Sequence, residues 1–222
     1  MKTFTTVAMD GGAATGKSSS SKIIAEKYNF MHVDTGSHYR TITRALIDAG
    51  FSINDLTTSK LPHKLRDLNQ TTTLHGRTAQ LVINSRPYSS KDIRCEEVNN
   101  VVSDYAAQPA IRTYLLQYQR DQVQIAREKN FAGLIMEGRD IGSIVLPDAD
   151  LRFFLHADLE ARKMRRAREG IADEVEKRDQ MDSSRKVAPL KCADGAISID
   201  SGILNLEEVV EHICKYIERI KG

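Results

Sequence analysis

Short apolar runs alternate with longer amphipathic stretches along most of this chain. Phe4–Met9 is rich in β-branched and apolar residues and gives way to a glycine-rich turn. Phe30–Val33, Gly133–Met136, Leu151–Leu155 and Ala196–Ile199 are further runs, each continuous rather than alternating. Continuous runs of this length suit strands buried on both faces of a parallel sheet. Helical periods lie between them. Lys17–Tyr28 places Ile23, Ile24 and Tyr28 near one helical face. Asn205 and Glu208 form an N-cap and its capping partner ahead of a stripe of Val209, Val210, Ile213, Ile217 and Ile220. The alternation predicts a doubly wound α/β fold: a five-stranded parallel sheet with helices on both faces.

Two stretches break the rhythm. Thr71–Asn84 alternates around His75-Gly76-Arg77, which predicts an antiparallel pair of strands inserted into the parallel core. Arg162–Arg185 is a helical stretch dense in arginine and lysine, with too few large apolar side chains for a core helix. It is expected to form a mobile, solvated flap. No repeat, low-complexity tract or Pro/Gly/Ser linker divides the chain, so residues 1–222 read as a single domain.

Composition narrows the possibilities. Of 222 residues, 41% are hydrophobic and 28% charged, an ordinary globular balance that argues against wholesale disorder. Thirty-two Lys and Arg against thirty Asp and Glu leave a formal charge of +2, which excludes the strong basic excess of a non-specific nucleic-acid or membrane-surface binder. No apolar run approaches the ~20 residues of a membrane-spanning helix. The opening residues reach Asp10 without a cleavage-like site, which speaks against a signal peptide. Cys95, Cys192 and Cys214 are odd in number and far apart, and read as reduced thiols of a cytoplasmic protein.

The strongest chemical signal is Gly11-Gly12-Ala13-Ala14-Thr15-Gly16-Lys17-Ser18, which fits G-x-x-x-x-G-K-[ST] between an expected strand and an expected helix. Glycines let the backbone curl so that successive N–H groups point at phosphate oxygens, and the helix N-terminus adds its positive end. Lys17 would reach the β- and γ-phosphates of ATP, and the Ser18 or Ser19 hydroxyl would ligate Mg2+. The motif identifies a nucleoside triphosphate site and leaves the acceptor open.

An anionic acceptor needs further cations in line with the γ-phosphate. Asp34-Thr35-Gly36-Ser37-His38-Tyr39-Arg40 follows the second expected strand, and Gly138-Arg139-Asp140 follows the third. Both therefore sit at the carboxyl edge of the sheet, where ligands bind in open α/β folds. Arg178, Asp182 and Arg185 are spaced to share one helical face. The six histidines, His32, His38, His63, His75, His156 and His212, show no metal-ligand spacing. His38 lies near the expected site and reads as a neutral bystander.

Asp-[ST]-Gly-x-x-Tyr-Arg, Gly-Arg-Asp-x-Gly, Arg-Asp-x-x-Asp-x-x-Arg and Val187-Ala188-Pro189-Leu190, in this order after the phosphate loop, resemble the bacterial cytidylate kinases. The long acceptor-side insertion, followed by Asp92-Ile93-Arg94 and by Ser103, Pro109 and Arg112, also matches that family's bacterial type. The resemblance implies a P-loop kinase with a CMP-binding insertion over residues 63–107 and a helical lid over residues 158–185. It implies phosphoryl transfer from ATP to CMP and dCMP in pyrimidine nucleotide metabolism. By the same resemblance Ser103, Arg112 and Asp140 read the cytosine, and Ser37, Arg40, Arg139 and Arg185 hold the CMP phosphate. Arg178 and Asp182 meet the ribose, while Arg162, Arg165 and Arg166 are lid arginines near the ATP phosphates. Lys17, Arg139, Arg178 and Arg185 form the expected catalytic set.

The chain departs from the family pattern at Gly12, where proline is usual, at Thr15, where a small residue is usual, and at Glu137, where aspartate is common. Glu137 would act on Mg2+ through water. Cytosine offers an N4 donor beside the N3 acceptor, which an aspartate and an arginine complement; uracil would set an acceptor against Asp140. Nothing in the sequence demands more than a monomer. Two alternatives stay open: a P-loop kinase for another small acceptor, and a regulatory module that binds ATP without transferring phosphate.

Overall fold

The structure, a computed structural model, describes residues 4–168, 175–185 and 187–221. Met1–Thr3 and positions 169–174 of the expected lid lie outside the described residues. Strands β1 (Thr5–Gly11), β2 (Phe30–Asp34), β3 (Gln70–His75), β4 (Thr78–Ile83), β5 (Gly133–Gly138), β6 (Leu151–His156) and β7 (Ile197–Asp200) form one seven-stranded sheet, in the order β3-β4-β2-β5-β1-β6-β7. The five expected strands pair in parallel as β2-β5-β1-β6-β7.

The antiparallel pair is present but is not separate from the core. β3 and β4 form a hairpin, and β4 continues the sheet by running parallel to β2 through His32↔Thr78 and Val33↔Ala79. The five expected parallel strands and the expected antiparallel pair are both present, joined edge to edge into one sheet of seven. Pairing between segments this far apart leaves no local periodic mark on either.

Helices α1 (Lys17–Tyr28) and α9 (Leu206–Lys221) cover one face. Val7, Met9, Ile24, Phe153, Ile199, Val209 and Ile213 pack together there. Helix α6 (Pro109–Glu128) and a π-type turn at Ile141–Val145 cover the other face, against Ala8, Met31, Val33, Leu134 and Met136. Within β5, Ile135 points to the first face and its neighbours to the second, so the run must be apolar at every position. A second core joins α2 (Thr35–Asp48), α3 (Lys60–Arg66), α4 (Ser90–Ile93) and α5 (Glu96–Ala106) to β4 and α6.

The Asn205–Glu208 capping pair forms as expected, at 2.8 and 3.0 Å. Ile24 is fully buried, but Ile23 is 42% exposed and Ile220 45% exposed, so neither belongs to the stripe expected to pack. Each lies on its helix face beyond the reach of the sheet. Helices α7 (Leu159–Arg168) and α8 (Val175–Ser184) carry the charged stretch. They are not simply a solvated flap, because Val175 and Asp182 are buried and α8 rests on the phosphate loop. Among the described residues, no helix is long and apolar enough to cross a membrane.

Candidate active site

The sheet order places the β1–α1 loop where the chain switches sides. From β1 it crosses to β2, and from β5 it crosses back to β6, with β1 and β5 adjacent. The loops after β1, β2 and β5 therefore open at one edge. Gly11 has φ 148°, and a Cβ there would sit 2.1 Å from the Leu155 carbonyl oxygen, so only glycine lets β1 turn beside β6.

Lys17 is buried and folded back on its own loop. Its ammonium donates to the carbonyls of Gly11 at 2.8 Å and Gly12 at 2.6 Å, and to the Thr15 hydroxyl at 3.2 Å. Burial, and then the neighbouring Arg139 guanidinium, lower its pKa to about 7. Asp10, at the end of β1, accepts from the amides of Ile141 at 2.8 Å and Gly142 at 2.7 Å, and so ties the Gly-Arg-Asp turn to the loop. Burial raises Asp10 to about 6 against those two amides.

A cavity of about 430 Å3 opens over this edge, large enough for small substrates. Ala13 through Ser19 form one wall, and Arg40, Arg139, Arg178 and Arg185 converge from other elements. Asp182 ties two of them together: its Oδ2 accepts from Arg139 Nε at 2.8 Å and its Oδ1 from Arg185. Burial pushes Asp182 up, but Arg139 and Arg185 overcome it and hold the carboxyl below its usual value. Arg40 donates to the Ile93 carbonyl at 3.2 Å and Asn99 Oδ1 at 2.6 Å, which fixes its direction.

Ser103 and Asp140 also line the cavity. Arg112 lies behind Asp140 and pairs with it; both are buried, and the guanidinium lies 5.3 Å from the Tyr39 ring centroid. Ser37 does not line the cavity: its hydroxyl donates to the Asp34 carbonyl at 2.6 Å in the first turn of α2. The three lid arginines separate. Arg166 faces the cavity, whereas Arg162 donates to the Ala13 carbonyl at 3.3 Å and Arg165 to that of Ala14 at 3.4 Å, gripping the loop from its carbonyl side.

Several residues join the site that the sequence reading gave no role. Tyr39 and Arg94 line the cavity, and Arg94 pairs with Asp34 at 3.2 Å. Asp179 of α8 accepts from the Ala13 amide at 2.9 Å and pairs with Arg162. His32 reaches Glu137 at 2.7 Å. Tyr39, Arg94 and Asp179 sit inside motifs already singled out, so their neighbours were the available signal. His32 carried none.

The oxygen donors suit magnesium. Ser18 donates to Glu137 Oε2 at 2.7 Å, and both residues line the cavity. Among the described residues no cluster of three His, Cys, Asp or Glu could cage an ion. A hydroxyl and a carboxylate beside a phosphate cradle fit a cation that draws most of its shell from phosphate and water. Ser19 also lines the cavity.

A phosphate cradle facing an arginine-walled cavity, at the switch point of a parallel sheet, defines a P-loop kinase of the small-acceptor type. The family model described as cytidylate kinase matches residues 7–219. A cytidylate kinase from Geobacillus sp. (strain WCH70) is 38% identical over 229 residues, covering 96% of this chain and 97% of the relative. One from Thermotoga neapolitana is 38% identical over 223 residues, covering 96% of each. The chain belongs to the cytidylate kinase family. Among solved structures, one from Thermus thermophilus aligns with a TM-score of 0.54 at 14% identity, covering 99% of this chain and 100% of the other; that likeness is one of fold.

Proposed function

We propose that this protein transfers the γ-phosphoryl group of ATP to the phosphate of CMP and dCMP, giving ADP and CDP or dCDP. The supporting observation is the convergence of Lys17, Arg40, Arg139, Arg178 and Arg185 on one cavity. In this reading the loop Gly11–Ser19 cradles the ATP phosphates and α7 and α8 close over them, with Arg162, Arg165 and Arg166 on that side. Residues 63–107 form the acceptor side. Ser103 and Asp140, the latter backed by Arg112, read the cytosine, Arg40, Arg139 and Arg185 surround the acceptor phosphate with Ser37 set back in the first turn of α2, and Arg178 and Asp182 meet the ribose.

An oxygen of the CMP phosphate attacks the γ-phosphorus in line, and the bond to the β-phosphate oxygen breaks as ADP leaves. The attacking oxygen is already anionic, so no strong base is needed. Positioning and charge stabilisation by Lys17, Arg139, Arg178 and Arg185 do the work. Mg2+ brought in with ATP would supply charge neutralisation across the phosphates, with Ser18 as ligand and Glu137 on its water shell. In this reading the enzyme works as a monomer.

A coupled assay of ADP formation against a panel of nucleoside monophosphates tests the reading. CMP and dCMP should be turned over, with UMP about 5- to 150-fold poorer in kcat/KM, because a buried polar mismatch costs ~1–3 kcal/mol. Equal turnover of UMP would refute the base assignment. ATP binding with no monophosphate turned over would refute the kinase.

A further inference from the structure

His32 sits inside β2, a strand buried on both faces, and is 2% exposed. A polar ring in that position requires partners, and it has them. Its Nε2 lies 2.7 Å from Glu137 Oε1 and its Nδ1 lies 3.4 Å from the Thr78 hydroxyl. The sheet register explains the first contact. Asp34 pairs with Glu137 across β2 and β5, and His32, two residues before Asp34, projects from the same face as its diagonal neighbour.

A carboxylate can only accept, so Nε2–H is the donor to Glu137. The second oxygen of Glu137 accepts from Ser18 at 2.7 Å. Ser18, Glu137 and His32 thus form a chain from the first turn of α1, across the end of β5, into β2. A serine hydroxyl that donates its proton inward to Glu137 leaves its lone pairs facing the cavity.

We propose that His32 is a positioning residue for the metal–phosphate end of the nucleotide site: it holds Glu137, and through Glu137 it aims the Ser18 oxygen. This rests on the kinase reading for what that oxygen meets. Without the ring, the buried Oε1 of Glu137 has lost its donor, and Lys17 is the nearby cation that can draw the carboxylate away, since the two already act on each other electrostatically.

The test is calorimetric titration of ADP into the protein with saturating Mg2+ and with EDTA. His32→Leu removes the donor from an apolar-walled position. His32→Gln keeps an amide nitrogen where Nε2 stood. His32→Leu should lower the Mg2+-dependent gain in ADP affinity by about 10- to 100-fold, the range for a lost outer partner of a metal ligand. It should leave the EDTA affinity near that of the wild type, and His32→Gln should recover most of the gain.

A folded His32→Leu variant with the full Mg2+ response overturns the proposal, whatever its thermal stability. So does His32→Gln behaving like His32→Leu. If His32→Leu does not fold, His32→Asn carries the same test, because its amide falls at the Nδ1 position and cannot reach Glu137. A wild-type protein with no Mg2+-dependent gain overturns both this proposal and the kinase reading; a gain that the variants keep overturns this one alone.

Discussion

Replacing Asp179 with alanine should weaken the ligand-free protein and tighten its hold on nucleotide. The Asp179 carboxylate accepts from the Ala13 amide at 2.9 Å and pairs with Arg162. In the proposed reading that amide belongs to the ATP phosphate cradle, so nucleotide would have to displace a negative group already seated on the loop. A hydrogen bond to a charged group contributes ~1.5–3 kcal/mol. Removing the competitor adds that amount to binding, and ~1.4 kcal/mol is tenfold. ADP affinity should therefore rise roughly 10- to 100-fold by calorimetry, while urea denaturation of ligand-free D179A shows a loss of similar free energy.

Gly12 offers an independent approach to the same contact. A Cβ there would lie 2.9 Å from Asp179 Oδ2 and 3.1 Å from Arg162 Nη1, so in G12A these side-chain tips must shift, which loosens the Asp179 contact and acts in the same direction, more weakly. The proline usual at this position in the family would meet the same side chains. D179A binding ADP no more tightly than wild type, despite lowered ligand-free stability, would refute the competition.

Lys17→Ala should abolish most of kcat and leave the thermal transition in place; near-normal turnover would rule out Lys17 as the phosphate ligand. Asp140→Asn preserves shape but sets an amide donor where the cytosine N4 donor needs an acceptor, and the CMP:UMP ratio of kcat/KM should fall by about 5- to 150-fold for a ~1–3 kcal/mol mismatch. An unchanged ratio would clear Asp140 of reading the base. His38 is fully buried, and burial lowers its pKa from 6.5 to about 4 against the pull of Asp34. The unfolded chain therefore binds the extra proton between those values, so stability rises with pH across that window and is lost as pH falls. At ~1.4 kcal/mol per pH unit, wild type should lose ~2 kcal/mol more than His38→Phe between pH 7 and pH 5 in urea titrations. Parallel profiles would remove His38 as the cause.

What the chain declares locally is its parallel strands, its phosphate loop and its last helix. Strands such as Gly133–Met136 are legible because burial on both faces demands apolar residues at every position, and the loop is legible because its glycines and Lys17 must stand at set spacings. The arginines are legible from their places after the strands and on one helical face, the resemblance gives them roles, and Arg40, Arg139, Arg178 and Arg185 do line one cavity. Sheet order and side-chain pairing were settled only in three dimensions. β4 joins β2 through two residue pairs that no periodicity marks. His32 meets Glu137 only because the register of β2 on β5 makes them diagonal neighbours. Asp179 reaches Ala13 across 166 residues of sequence. Backbone conformation is dictated by neighbours a few positions away and is written in the local pattern. A contact between distant side chains depends on how whole elements pack, and no single segment records it.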